Sequence, residues 1–583
     1  MHFDELFAII GGMGRYQIYL SVLGGLLSVW SVEVLTTTFI AARLDHWCCV
    51  PALQRLSPAR QKYVSIPRYD DAYEQCRRFD FNYSVLSDGE VDAWNRTARV
   101  AGGYVGYSAC DDGWTYNFTD YESTSVNRFG LVCGRSWLVQ FASTLVVAGT
   151  LLGAVTSGLI SDKIGRKKAM LIFLAVKVLG CVVSLLATNY ETFGAGRLLL
   201  GLGGGGTYIC MYVLVMEMVG PHYRTHVGVG YQLAFSFGMM LIPGIAYLVR
   251  NDRWLQIIFA VPHVVFFSYW FLLPESPRWL IVKGRYEEAR SVLETAARIN
   301  HKKLPEDIVM EDIKTGPDVE QNGTVLDLFR TPRMRIRTLV VYTHWFVDCL
   351  MYYGLSLNMA DLSGNVFFNS FLSGAVEVPA NLLCVVLLNW PLLGRRFTCS
   401  FALLAAGLSS FICIPLILTD TGTAATAMAM FGKAFVTIGY SAIYVFSTEI
   451  FPTEVRNAGL GSSSTIARIS GMVAPFIGGP MTKIWKPLPH VIFGTMASLA
   501  GFLALLLPET LNQELCDTVA EAEAFRGGRK SRKKDDYQTS PNGWSSRTEQ
   551  KDKTISGGNA DIEEKREHLT NNFDDENVGM TRL

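Results

Sequence analysis

Charge is scarce in this chain. Only 18% of its 583 residues are charged, and 52 Lys and Arg are matched by 52 Asp and Glu. The basic residues sit in short loops rather than along one stripe, which excludes a nucleic-acid-binding surface. A cleavable leader is not expected. The first apolar run is longer than a signal core, follows the acidic segment Asp4-Glu5, and shows no small-residue cleavage site. A nucleotide loop is excluded too, since the run Gly201–Gly206 has no preceding strand and no Lys and Ser/Thr at the required spacing. Small residues that let helices approach closely explain it better. No spacing of residues suggests a metal site, a cofactor or an enzyme's covalent chemistry.

Apolar sequence is what the chain has in quantity. Half of the residues are hydrophobic, Phe (33) and Gly (53) are plentiful, and the mean hydropathy is +0.23. A bilayer core needs about 20 apolar residues per helix. One such run lies at roughly 16–41, five more at 137–160, 169–188, 198–218, 227–249 and 254–273, and six at 336–357, 367–390, 397–417, 423–447, 459–480 and 488–507. The expectation is an all-α membrane protein of twelve transmembrane helices. It divides into two halves, 16–273 and 336–507, joined by a polar linker at 274–335 and flanked by residues 1–15 and a tail at 508–583. Tyr286–Arg298 in the linker has the spacing of an amphipathic helix. The tail is polar and is expected to be mostly disordered after a short helix.

The polar segment 42–136 holds Cys48, Cys49, Cys76, Cys110 and Cys133 and the glycosylation sequons at Asn82, Asn95 and Asn117. Cysteines and sequons together point to the oxidising, extracytoplasmic side. Five is odd, so at least one thiol is free or pairs elsewhere. A fourth sequon, at Asn322, falls in a loop assigned to the cytoplasm and is discounted. Alternating basic loops then place both termini inside. The C-terminal Thr581-Arg582-Leu583 fits the groove of a PDZ-type domain.

Between the second and third runs lies G158-L-I-S-D162-K-I-G165-R166-K167-K168. A turn carrying both signs of charge and two glycines is more than a topology anchor needs, and it reads as a gating turn. Gly394-Arg395-Arg396 occupies the same place in the second half, with Asn389 where an acid is expected. Such internal symmetry is a mark of six-plus-six carriers. Glu217 and Glu449, near helix ends and followed by Arg224 and Arg456, are expected to form structural or gating pairs there.

A charge at mid-membrane costs at least ~2.5–3.5 kcal/mol. Glu33, Asp348, Glu377, Lys433 and Arg468 therefore each need a partner or a role. Pro379 would loosen the helix beside Glu377. Small residues around Arg468 leave room for a ligand, and Arg468 and Lys433 are candidates to hold a substrate carboxylate. The alternative for Arg468 is a salt bridge with Glu377 or another buried acid. Tyr208, Tyr212, Tyr352, Tyr353 and Tyr444 could hold an ammonium head by cation–π contact. A zwitterion satisfies both sets.

Taken together, F129-G-L-V-C133, the Gly158–Lys168 turn, E275-S-P-R278-W279, E449-I-F-P452-T-E-V-R456-N and P508-E-T510 resemble the major facilitator superfamily, and within it the organic cation, anion and carnitine transporter family. The resemblance covers residues 1 to about 515. It implies a plasma-membrane carrier of a small organic ion working by alternating access beside membrane lipid. In cation-preferring members the position of Arg468 is usually Asp; in anion and carnitine members it is Arg. F371-L-S-G-A-V-E377-V-P379-A and G432-K433 are similar to the carnitine branch, implying a carnitine-like or β-alanine-like zwitterion. Thr207 stands where those members carry Asn, and a polar Asn-Gly near residues 34–38 is absent, so sodium is not implied and the coupling ion stays unassigned. Two alternatives remain: a cation carrier using Glu33, Asp348 or Glu377, and a receptor or scaffold that does not transport.

Overall fold

The computed structural model describes residues 3–69, 72–85, 106–305, 308–313, 323–357, 362–513 and 516–525. Asn95, Asn322, Thr581 and Leu583 lie outside them. The first apolar run forms two helices, α1 (Arg15–Val29) and α2 (Glu33–Ile40), not one. The break at Trp30–Val32 frees the Trp30 carbonyl, which accepts a hydrogen bond from His263 Nε2 (3.2 Å). Next come α3 (Trp137–Ile164), α4 (Arg166–Leu186), α5 (Tyr190–Met216), α6 (Arg224–Leu248) and α7 (Asp252–Val265). The linker carries the amphipathic α8 (Tyr286–Ile299), which buries Ala289, Leu293, Ala296 and Ala297. Asn300, just beyond it, donates to the Ile10 carbonyl and to Gln17 Oε1, both at 2.9 Å, tying the linker to the start of the chain. Six further helices follow: α9 (Pro332–Leu357), α10 (Val366–Asn389), α11 (Gly394–Leu418), α12 (Gly422–Ile450), α13 (Arg456–Gly478) and α14 (Leu488–Ala504).

Among the described residues, nine helical segments are long and apolar enough to cross a membrane: α1 with α2, α3 to α6, α7 with its extension to Leu272, and α10 to α12. The other three long elements differ for visible reasons. α9 carries Arg333, Arg335, Arg337, His344 and Asp348; α13 is rich in Ser and Gly and carries Arg456 and Arg468; α14 is apolar but has 17 residues. Outward-facing Leu159, Leu186, Phe271, Phe368, Leu408 and Phe502 are exposed, as suits helices solvated by lipid.

α5 packs on both α3 and α4, α6 on α1, α11 on α12 and α14, and α9 on α13. The glycine run lies where α3 and α5 meet: a Cβ on Gly201 would overlap the Val146 carbonyl oxygen, and one on Gly149 the Leu198 carbonyl oxygen. No larger residue permits that spacing. The two sets of helices meet along α3 with α13 and α6 with α10. At one end Phe367 of α10 stacks on Phe39 of α2 at 5.6 Å, with Tyr121 and Tyr247 at 5.8 and 5.7 Å.

That end also bears the polar segment between α2 and α3. His46–Cys48 pairs antiparallel with Trp114–Tyr116. Disulfides join Cys48 to Cys110 and Cys76 to Cys133, and Cys49 is free, as the odd count required. His46 lies beside the Cys76–Cys133 bridge, but disulfide sulfurs are not available as thiolate ligands. Asn82 and Asn117 are exposed.

Candidate functional site

Two ion clamps of the same design stand at the ends of α3 to α5 and of α10 to α12. In the first, Arg166 opens α4 and its guanidinium grips Glu217 at 3.2 Å through both Nε and Nη2, while Nη1 reaches Asp162 at 2.7 Å. The Glu275 carboxylate accepts from the backbone N–H groups of Arg166 (2.8 Å) and Lys167 (3.1 Å), the unsatisfied first-turn donors of α4. Gly165, at φ +104°, precedes them, and a Cβ there would overlap Glu275. In the second, Arg395 opens its helix, grips Glu449 (3.0 Å), and its N–H and that of Arg396 donate to Glu509 at 2.9 and 3.0 Å. Gly394, at φ +64°, takes the place of Gly165.

The acid missing at Asn389 is absent in the structure too, yet the second clamp does not lack acidic partners. Its acids come from the end of α12 and from P508-E-T510, far along the chain. Only Asp162 lacks a counterpart, since Asn389 donates to the Val385 carbonyl. Glu217 and Glu449 do form ion pairs near helix ends, with Arg166 and Arg395 and not with the Arg224 and Arg456 that follow them in sequence. Arg224 and Arg456 open the helices that follow, and bind elsewhere: Arg224 binds Asp4 (2.6 Å), and Arg456 meets the Phe451 carbonyl and the Thr453 hydroxyl, both at 3.2 Å.

Aromatic rings gather where the two sets of helices face one another. Tyr208 and Tyr212 of α5 pack edge-on against Tyr231 of α6 at 4.9 and 5.3 Å. On the other side Tyr352 meets Tyr353 (5.5 Å) and Tyr440 (6.0 Å), and Tyr444 meets Tyr440 (5.5 Å) and Trp345 (4.3 Å). The Tyr352 hydroxyl meets Met239 Sδ of α6 at 3.1 Å, so the two groups of rings face each other across the junction. Arg468 of α13 is in reach of Tyr353, Tyr440 and Tyr444. Its Nη1 donates to the Ser464 carbonyl (3.2 Å) and contacts the Ser464 hydroxyl, while Nε is buried with no hydrogen-bond partner. No carboxylate among the described residues pairs with it, contrary to the salt-bridge alternative.

The other buried charges named from the sequence each face a partner. Glu377 pairs with Lys433 at 3.1 Å, and its Oε2 accepts from Ser236 Oγ of α6. Lys433 Nζ also touches the Ser356 hydroxyl and lies 3.7 Å above the Tyr352 ring. The ammonium is thus occupied by a carboxylate and an aromatic face, not directed at a free anion. Asp348 pairs with His344 at 2.5 Å, both fully buried. Glu33 pairs with Lys177 of α4.

Lys177, Arg197, His344, Tyr231, Tyr440, Glu275 and Glu509 all belong to this framework and were not singled out as candidate site residues. Some left signals. Lys177 is a lone cation within the run 169–188, and Arg197 stands one residue before the run 198–218. Glu275 and Glu509 each adjoin proline after the sixth helix of their half, in E-S-P and P-E-T.

Residues 101–520 match the family described as "Sugar (and other) transporter". The chain is 36% identical over 549 residues to an organic cation transporter-like protein of Drosophila melanogaster, covering 90% of this chain and 93% of that one. It is 30% identical over 544 residues to solute carrier family 22 member 2 of Oryctolagus cuniculus, covering 91% and 97%. In structure it is similar to the xylose transporter of E. coli in an inward-open conformation, with a TM-score of 0.55 at 17% identity, covering 87% of this chain and 98% of that one. Paired arginine clamps, aromatic rings gathered between two sets of helices, and these likenesses lead to one conclusion: the chain is a multi-pass membrane transporter, not an enzyme, and belongs to the major facilitator superfamily, within the solute carrier family 22 group of organic ion transporters.

Proposed function

We propose that this transporter carries small organic ions that bear a carboxylate together with an amine or apolar group, by alternating access across the plasma membrane. In this reading twelve helices cross the membrane as two halves, 16–273 and 336–507, with the disulfide-bonded segment outside and both termini inside. Substrate enters between the halves, its carboxylate docks on Arg468, and the rings of Tyr208, Tyr212, Tyr352 and Tyr353 flank the remainder. The clamps at Arg166 and Arg395 brace the cytoplasmic ends as the halves rock, and the Phe367 cluster closes the outer end.

The observation that carries the reading is Arg468, a guanidinium facing tyrosines with no carboxylate partner among the described residues. A charge-assisted, bidentate hydrogen-bonding site of this kind favours carboxylates. The second reading, an organic cation carrier, is favoured by the names of the Drosophila relatives and by the tyrosine rings. Against it, Glu33, Asp348 and Glu377 each already face a basic side chain.

Uptake into proteoliposomes of matched amines, acids and zwitterions tests both. Arg468→Ala should reduce kcat/KM for carboxylate-bearing substrates by about 1.5–3 kcal/mol, or roughly 10- to 100-fold, and leave permanent cations nearly unaffected. Equal loss for all three classes, at normal protein levels, would make Arg468 a structural residue.

A further inference from the structure

Away from the tyrosines, a cavity lies within the first set of helices, between α1, α2, α4, α5, α6 and α7. Its volume is about 30 Å³, room for a single small ion or water. Trp30, Ile40 and Phe259 supply apolar wall, and Glu33, Arg197 and Gln256 supply polar wall. We infer that this cavity is a binding site for a small monovalent anion of the chloride class, held by Arg197 and Gln256.

The argument begins with charge. Arg197 is 1% exposed, and among the described residues its guanidinium meets the hydroxyls of Thr36 and Thr37 and the Phe193 ring and pairs with no carboxylate. Glu33 is the nearby acid, and it is already paired with Lys177. The cluster of Glu33, Lys177 and Arg197 therefore holds one more positive than negative charge, deep among apolar helices. An uncompensated buried ion is strongly unfavourable unless something neutralises it.

Hydrogen-bond donors point the same way. Arg197 Nε is buried and has no partner. Gln256 is 7% exposed, and its Oε1 accepts from Ser184 Oγ at 3.0 Å. With the carboxamide placed in this way, the Nε2 donor is buried without a partner. Two unsatisfied donors and a surplus positive charge on one cavity make an anion site. A cation would meet only the Glu33 carboxylate, against both Lys177 and Arg197. The surrounding apolar wall suits a weakly hydrated monovalent anion rather than a doubly charged one, whose desolvation costs far more.

Thermal unfolding of the purified full-length chain in lipid nanodiscs tests the inference, independently of what the protein transports. Sodium gluconate is exchanged for sodium chloride at constant ionic strength. Chloride should raise the unfolding temperature saturably, as a ligand of the folded state does. Arg197→Gln should raise the half-saturating concentration about tenfold or more, which corresponds to ~1.4 kcal/mol. Gln256→Leu should raise it with no change of charge, and Glu33→Gln, which removes the competing negative charge, should lower it. Arg468→Ala should leave it unchanged. A parallel acetate titration distinguishes a free halide from a carboxylate group as the natural occupant. Three results overturn the inference: no difference between chloride and gluconate, meaning that water alone serves these donors; a chloride shift untouched by both Arg197→Gln and Gln256→Leu; or a shift lost in Arg468→Ala. If Arg197→Gln does not fold, the opposite signs expected for Gln256→Leu and Glu33→Gln decide the matter.

Discussion

Breaking the Lys433–Glu377 pair should harm the protein more than removing it altogether. The two groups are 3.1 Å apart and nearly inaccessible. At an effective dielectric of about 20 their attraction is on the order of 5 kcal/mol, most of which offsets the cost of taking both out of water. Lys433→Met leaves the carboxylate buried beside the Ser236 hydroxyl with no cation paired to it, and Glu377→Gln leaves the ammonium over Tyr352 without a counter-charge. Each single change should cost ~3–5 kcal/mol. The double variant Lys433→Met/Glu377→Gln carries no buried charge, keeps an amide for Ser236 and keeps apolar volume against Tyr352. It should recover at least about 2 kcal/mol relative to the sum of the two singles. Denaturation in detergent, followed by the fraction of monodisperse protein surviving heating, gives the four corners of the cycle. If the double variant is as unstable as the two singles added together, the pair is not coupled and this account of α10 and α12 is wrong. Uptake by the double variant separates the roles: transport that survives places Lys433 outside carboxylate recognition.

Three other expectations follow from the geometry. Arg166→Ala and Arg395→Ala should each slow transport by an order of magnitude or more while permitting membrane insertion, and the exchange Arg166→Glu/Glu217→Arg should recover part of the loss; uptake normalised to surface protein reads this. Gly201→Val should abolish folded protein, because its side chain meets the Val146 backbone carbonyl, whereas Gly158→Val meets open space and should be tolerated; fluorescence-detected size exclusion compares them. On intact cells a membrane-impermeant maleimide should label Cys49, the free cysteine of the first polar segment, and not Cys48, Cys76, Cys110 or Cys133 unless they are first reduced. Labelling of Cys49 only after permeabilisation would reverse the proposed topology.

Runs of hydrophobicity located the helices to within a few residues for most elements, because a spanning segment is a local property of about 20 residues. The misplacements are local too. α1 and α2 read as one run because a three-residue break at Trp30–Val32 leaves the hydropathy almost unchanged. The amphipathic α8 was legible from its spacing, since its apolar residues recur at helical intervals over its length. The site was legible only in part. Arg468 and the tyrosines stood out by residue type and position, but the edges drawn around apolar runs hid Arg197, and Lys177 was passed over.

Composition, apolar runs and turn motifs by themselves determined that this is a helical membrane transporter of the major facilitator superfamily, and some of the residues that carry charge inside the apolar helices. Tertiary structure alone decided who answers each charge: Lys177 for Glu33, His344 for Asp348, Lys433 for Glu377, and no carboxylate, among the described residues, for Arg468. The reason is physical. Insertion into lipid depends on neighbouring residues in one segment, whereas an ion pair depends on which helices face one another and at what depth. That arrangement is set by close contacts such as Gly201 against Val146, between residues that a linear chain does not place side by side.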